Sequence, residues 1–230
     1  MNTNPAYFSM PWLLDVSAWI IPVVLAIMLH EVAHGWVAGC FGDPTARNLG
    51  RITLNPIRHV DRFGTIVIPA MLIIAHAPIL LGYAKPVPVN FALLRPPRIG
   101  MAVVALAGPV TNVIMALICG LLLHIGHFVT PEQMPWLFEN LYRALAINCG
   151  LATFNMLPIL PLDGGRVVYA VLRGRLQYWY GKLERRGIWI VFGLLLALSM
   201  AGVNINEIIA IPVGKLLEMV LLVTGNSVSS

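Results

Sequence analysis

Long apolar runs separated by short polar stretches set the pattern of this chain. Trp12 to about Phe41 is apolar and long enough to span a bilayer, and Gly42-Asp43-Pro44 stops it. Thr45 to Leu54 alternates in part and carries Arg47, Arg51 and Thr53, which predicts a short strand or hairpin beside the membrane. Phe63 to Gly82 is apolar but interrupted by Pro69, His76 and Pro78, and Lys85-Pro86-Val87-Pro88-Val89 reads as extended. Ile99 to Val129 predicts a long helix containing Gly108-Pro109. Residues 130–138 form a loop, and about 139–157 is another span, broken by Pro158, Pro161 and Asp163-Gly164-Gly165. Ile188–Val203 and Ile205–Val223 are two further spans, or a hairpin turning at Gly202–Asn206. The pattern predicts an all-α polytopic membrane protein of about five to six transmembrane or re-entrant helices, with short β-strands at its cytoplasmic edge. Residues 1–230 are expected to form a single integral-membrane domain, with a core over about 12–175 and C-terminal helices over 188–224.

Composition narrows the class. Hydrophobic residues make up 58% of the chain and charged residues 11%, where soluble domains carry about 25% charged residues. A soluble fold of 230 residues cannot hide that much apolar surface, and disorder, collagen and coiled coil are excluded on the same grounds. The net charge of +5 is not a nucleic-acid signal, because 13 of the 15 Lys and Arg fall in residues 41–98 and 165–187, next to apolar spans. The loop at 130–138 has none. Both basic segments are therefore expected on the cytoplasmic side, of the cell membrane, which requires 63–82 to be re-entrant or broken rather than fully spanning. Residues 1–10 lack Lys and Arg, so no cleavable signal peptide is expected. Cys40, Cys119 and Cys149 lie in or beside apolar segments and read as small buried hydrophobes, not a disulfide framework.

Chemistry concentrates in His30-Glu31-Val32-Ala33-His34. On a helix, positions i and i+4 share a face, so both imidazoles reach one metal, and Glu31 on the adjacent flank can take a proton from a water polarised there. Two histidines and a glutamate inside an apolar span are costly, and such residues are usually functional. A catalytic zinc site needs a third protein ligand and an open position. Asp163 is the best candidate, exposed by the helix break in Asn155-Met156-Leu157-Pro158-Ile159-Leu160-Pro161-Leu162-Asp163-Gly164. It also suits the N-cap of a helix beginning at Gly164. Segments 12–41 and 139–157 are expected to run in the same direction, which sets Asp163 at the depth of the histidines.

Together these motifs resemble the site-2 protease family of intramembrane zinc metalloproteases, whose pattern is H-E-x-x-H on one transmembrane helix and N-x-x-P-x-x-P-x-D-G on a later one. Gly108-Pro109-Val110-Thr111-Asn112 is similar to the family's G-P-x-x-N between them, so the resemblance covers about 20–175. No PDZ-like insertion and no CBS-type domain of the larger relatives is expected. The resemblance implies an integral-membrane metalloprotease that hydrolyses peptide bonds of transmembrane or membrane-anchored protein substrates, with its active site toward the cytoplasm. It implies one zinc ion held by His30, His34 and Asp163, with Glu31 as general base and then proton donor. It implies that Asn155 hydrogen-bonds the substrate carbonyl or the developing oxyanion, and that Asn112 supports the site, as a weak substrate-binding candidate, or packs between helices.

Three other readings stay open. One is an unrelated membrane peptidase with Glu132, Glu139 or Glu184 as third ligand. The others are a metal or proton transporter using the same ligands, and an inactive relative that only binds membrane proteins. Segments 47–54 and 85–89 are candidate edges for pairing with extended substrate, or ordinary loops. His59, His76, His124 and His127 are assigned structural or interfacial roles, Gly35 and Gly39 a close helix approach, and Trp12, Trp136, Trp179 and Trp189 an interfacial belt.

Overall fold

The computed structural model describes residues 11–61, 85–184 and 205–226, with a few isolated positions in between. The expected re-entrant segment 63–82, with His76, and the span at Ile188–Val203 lie outside the described residues.

Helix α1 (Trp12–Cys40) has 29 residues. At 1.5 Å per residue it is about 44 Å long, more than the ~30 Å of a bilayer's hydrocarbon. It ends where Gly42 adopts φ 96° and the N–H groups of Gly42 and Asp43 turn back to the carbonyls of Gly39 and Ala38. Helix α2 (Thr45–Asn48) is one turn, and a 3₁₀ turn covers Pro56–His59. Helix α3 (Pro97–Leu122) starts on Pro97 and passes through Pro109. It continues as a 3₁₀ turn over Leu123–His127. Helix α4 is Pro135–Asn155, α5 Asp163–Val171, α6 Gly174–Lys182 and α7 Ile205–Val223. Two of the described helical segments, Trp12–Cys40 and Pro97–His127, are long and apolar enough to cross a membrane.

Side-chain pairings fix the directions. Near the start of both α1 and α4, Trp136 Nε1–H donates to Ser17 Oγ (2.8 Å) and Arg143 pairs with Asp15 (2.6 Å), so these helices run parallel. Helix α3 runs against α1, meeting His34 through Val104 and His30 through Asn112. At the far end of α3, Asn226 donates to the carbonyl of Gly120, and the Cβ position of Gly120 is filled by Thr224, so the end of α7 closes that end of the bundle.

The molecule is inverted relative to a soluble domain. Trp12, Trp19, Ile20, Ile114, Leu121 and Val223 are exposed, while His30, His34, Asn112 and Asn148 are buried. That distribution suits a lipid surround, where apolar side chains have no reason to hide and polar ones do.

The expectation of short strands is corrected. Among the described residues there is no strand. At 45–48 a helical turn forms instead, because the Asp43 carboxylate accepts from the backbone N–H and hydroxyl of Thr45 and starts it, and Gly50 at φ 61° ends it. Burial pushes the Asp43 carboxyl up, but the bonds from Thr45 and the Asn90 N–H outweigh it and hold the group below the usual carboxylate range. Residues 85–90 form neither helix nor strand and join no ladder. Pro86 and Pro88 strip the donors from one edge of that segment, and Val87 on the other edge donates to Glu31.

Candidate metal centre and active site

Three chain segments meet at the end of α1. His30 and His34 come from α1, the Asn155 amide from the end of α4, and Asp163 from the first residue of α5. Prolines 158 and 161 end α4 and let the chain double back. The return is so tight that a Cβ on Gly164 would stand 2.3 Å from the Met156 carbonyl oxygen, and one on Gly165 2.4 Å from the Ile159 carbonyl carbon. The two glycines after Asp163 are therefore steric requirements of the turn that delivers its carboxylate.

His30 Nε2 and His34 Nε2 are 3.1 Å apart, and Asp163 Oδ2 lies 3.2 Å from the first and 3.4 Å from the second. The ring tautomers follow from the opposite nitrogens. His34 Nδ1 is 2.7 Å from the Val104 carbonyl oxygen, which can only accept, so Nδ1 carries the proton. His30 Nδ1 is 2.6 Å from Asn112 Oδ1. That amide is oriented by its own NH₂, which donates to Asn148 Oδ1 (2.8 Å) and the Ala26 carbonyl (3.4 Å). With both Nδ1 atoms donating, each neutral ring turns a bare lone pair inward through Nε2. Asp163 Oδ2, also turned inward, is buried without a hydrogen-bond donor. With the rings neutral, three lone pairs converge, and two imidazoles with one carboxylate are a donor set that suits zinc. Space is kept for one: a Cβ on Gly108 would lie 2.5 Å from His30 Nε2 and His34 Nε2.

Glu31 is on the adjacent flank of α1, half-buried, with its Oε2 accepting from the Val87 N–H at 2.7 Å. His30, Glu31, His34, Asn155 and Asp163 line one cavity of about 320 Å³, walled on the other side by Pro86, Val87, Val89 and Phe91. Asn155 uses one amide hydrogen on the Leu151 carbonyl (3.1 Å), leaving the other for the cavity. Arg166 also lines it, with its guanidinium over the Phe91 ring at 4.7 Å and 3.4 Å from Glu184. A larger apolar groove of about 580 Å³, along Ile99, Ala102 and Val171, touches none of these groups.

Five of the six sequence-derived site residues therefore share one cavity. Asn112 does not: it is fully buried behind His30 with its amide engaged by protein on both sides, so a substrate contact is replaced by support of a histidine. Asp163 is the carboxylate that joins the histidines, whereas Glu139 pairs with Arg143 and Glu184 with Arg166. Gly35 does not receive the helix bearing Asp163. Its open face takes Val87 and Ala46, and the Gly39 position meets nothing. His59 is buried and donates to the Thr53 carbonyl (2.9 Å) rather than lying in a solvated turn. Sequence reasoning missed Asn148, although its position seven residues before Asn155 sets both on one face of α4. It also missed the Val104 carbonyl, which no side-chain motif reveals.

The model of peptidase family M50 matches residues 18–133 and 129–200. The chain belongs to peptidase family M50. This is the site-2 protease family that the motifs resemble, and it is a family of membrane metalloproteases. "Putative zinc metalloprotease YwhC" of Bacillus subtilis is 40% identical over 153 residues, 65% of this chain and 66% of that protein. "Putative zinc metalloprotease Rip2" of Mycolicibacterium smegmatis is 24% identical over 185 residues, covering 80% of this chain and 67% of its own length. A zinc metalloprotease of Methanocaldococcus jannaschii is 26% identical over 185 residues, 79% of this chain but 42% of its own. The chain thus spans about two thirds or less of the length of these relatives. No solved structure matches.

Proposed function

We propose that this protein is an intramembrane zinc endopeptidase that hydrolyses peptide bonds of transmembrane or membrane-anchored proteins. The observation that carries the reading is the convergence of His30 Nε2, His34 Nε2 and Asp163 Oδ2, with Glu31 beside them in the same cavity. Those three residues hold one zinc ion, which when bound supplies a Lewis acid that polarises the scissile carbonyl and acidifies water. Glu31 takes the proton of the attacking water and later hands it to the leaving amine nitrogen. The free amide hydrogen of Asn155 donates to the substrate carbonyl oxygen as negative charge develops on it. Asn112 and the Val104 carbonyl hold the two imidazoles with Nε2 inward. In this reading the chain acts as one integral-membrane metalloprotease domain in the cell membrane, and the basic segments at 41–98 and 165–187 support a site that opens toward the cytoplasm.

A transporter using the same ligands gains nothing from a glutamate beside the histidines, and an inactive binding relative has no need of the ligand set. The test is cleavage of single-span reporter proteins by the zinc-loaded protein and by Glu31→Gln, with products identified by mass. Cleavage by the wild type that disappears in a variant still holding one zinc supports the assignment. Equal cleavage by both removes Glu31 as the base.

A further inference from the structure

Residues 85–90 form a strap along one wall of the site, and two charged residues outside the zinc-site motifs hold its ends. Arg51 is buried, 8% exposed. Its guanidinium donates to the carbonyls of Lys85 (2.8 Å) and Pro86 (3.3 Å) at one end of the strap, and to the Arg58 carbonyl. Asp43 is buried further, 1% exposed, and its carboxylate accepts from the Asn90 N–H (2.6 Å) at the other end. Its second oxygen is taken by Thr45. Midway between these clamps, the Val87 N–H donates to Glu31 Oε2 at 2.7 Å, and the Val87 side chain sits in the space left by Gly35, one helical turn past Glu31.

Burying a guanidinium and a carboxylate is costly unless they are hydrogen-bonded, and here the two terminal nitrogens of Arg51 and both oxygens of Asp43 are spent on the strap and the loops beside it. An extended segment with two prolines makes few bonds of its own, so its position is set by what grips it. Glu31 in turn has a flexible side chain, and the Val87 donor is the contact that fixes its carboxylate in the cavity. We infer that Arg51 and Asp43 are positioning residues, which act through the strap to hold the Glu31 carboxylate where it must take and return a proton. The inference rests on Glu31 being the general base, and neither residue touches substrate, metal or the reacting atoms.

The experiment compares wild type, Arg51→Gln, Asp43→Ala, Asp43→Asn and Val87→Pro as full-length, zinc-loaded proteins. Three quantities are read: zinc per chain, amide hydrogen exchange across 85–90, and kcat and KM on a cleaved reporter. Arg51→Gln and Asp43→Ala are expected to keep one zinc per chain, to exchange Val87 and its neighbours faster, and to lose kcat by about 100-fold with KM little changed, as for a misplaced catalytic group. Asp43→Asn, which keeps an acceptor for Asn90, recovers part of both. Val87→Pro deletes the donor while suiting the extended backbone, so it lowers kcat without loosening the clamps and tests the contact even if a clamp variant misfolds. Unchanged exchange in both clamp variants overturns the inference, and so does faster exchange with unchanged kcat. A wild type that cleaves no reporter counts against the proteolytic reading instead, and the exchange data still decide whether the two charges hold the strap.

Discussion

At one end of the bundle, Ala116, Cys119, Leu123, Phe138, Leu141, Leu145, Cys149 and Val220 pack into a cluster of buried apolar side chains from α3 and the 3₁₀ turn after it, α4 and α7. At the other end, the same α3 and α4 present Val104, Asn112 and Asn148 to two histidines of α1. The first end is held by volume. Dispersion and close packing have no preferred direction, so several side-chain sets of similar size fill it. The second end is held by direction, since each hydrogen bond fixes a tautomer or an amide orientation and one wrong group leaves an unsatisfied polar atom in a dry place. One pair of helices thus carries a tolerant region and an intolerant one, which meet on α4 where Cys149 follows Asn148.

The comparison breaks first at Gly108. Gly108→Ala removes no ligand, yet its methyl enters the space between the rings, so loss of zinc comparable to Asp163→Ala is expected, read as metal per chain. If Gly108→Ala binds zinc normally, the cradle is less rigid than its hydrogen bonds require. Next comes Asn112→Leu, which fills the same volume but frees His30 Nδ1. Zinc affinity is expected to fall about 10- to 100-fold by chelator competition, with Asn148→Leu weaker in the same direction because it acts one bond further away. At the apolar end, Leu145→Ala should cost about 2–5 kcal/mol of stability in a detergent denaturation series while zinc binding stays at one per chain. Loss of zinc in that variant would show that the two ends are not independent.

The smallest effect is on acid stability. The Asp43 carboxyl titrates lower in the folded protein than in the unfolded chain, so its stabilisation is present above the unfolded pKa of about 4 and is lost as pH falls through the folded value. Wild type should therefore lose stability on acidification below about pH 4 more steeply than Asp43→Asn, measured by unfolding midpoints across that range.

His30, Glu31, His34 and Asp163 were legible because motif spacing carries them: two histidines at i and i+4 face one way on any helix, and the prolines and glycines around Asp163 announce a turn. The long helices were legible from apolar length. Among the described residues the short strands do not form. Partial alternation at 45–54 and proline alternation at 86–88 look like strand pattern, but Asp43 starts a helical turn in the first case and Glu31 takes the donor edge in the second. Asn112 was found as a motif residue, but its partner was not, since a motif gives proximity to a site and not the direction an amide faces.

The sequence by itself determined that this is an apolar membrane chain, that His30 and His34 share a face, and that the chain turns back at Asp163, because all three follow from local rules of burial, helical period and backbone freedom. Only the tertiary structure decided which nitrogen of each histidine is free, which backbone amide holds Glu31, and that Arg51 and Asp43 face residues 34 or more positions away. Those depend on contacts between segments distant in the chain, and hydrogen bonding, being directional, is settled only when both partners are in place.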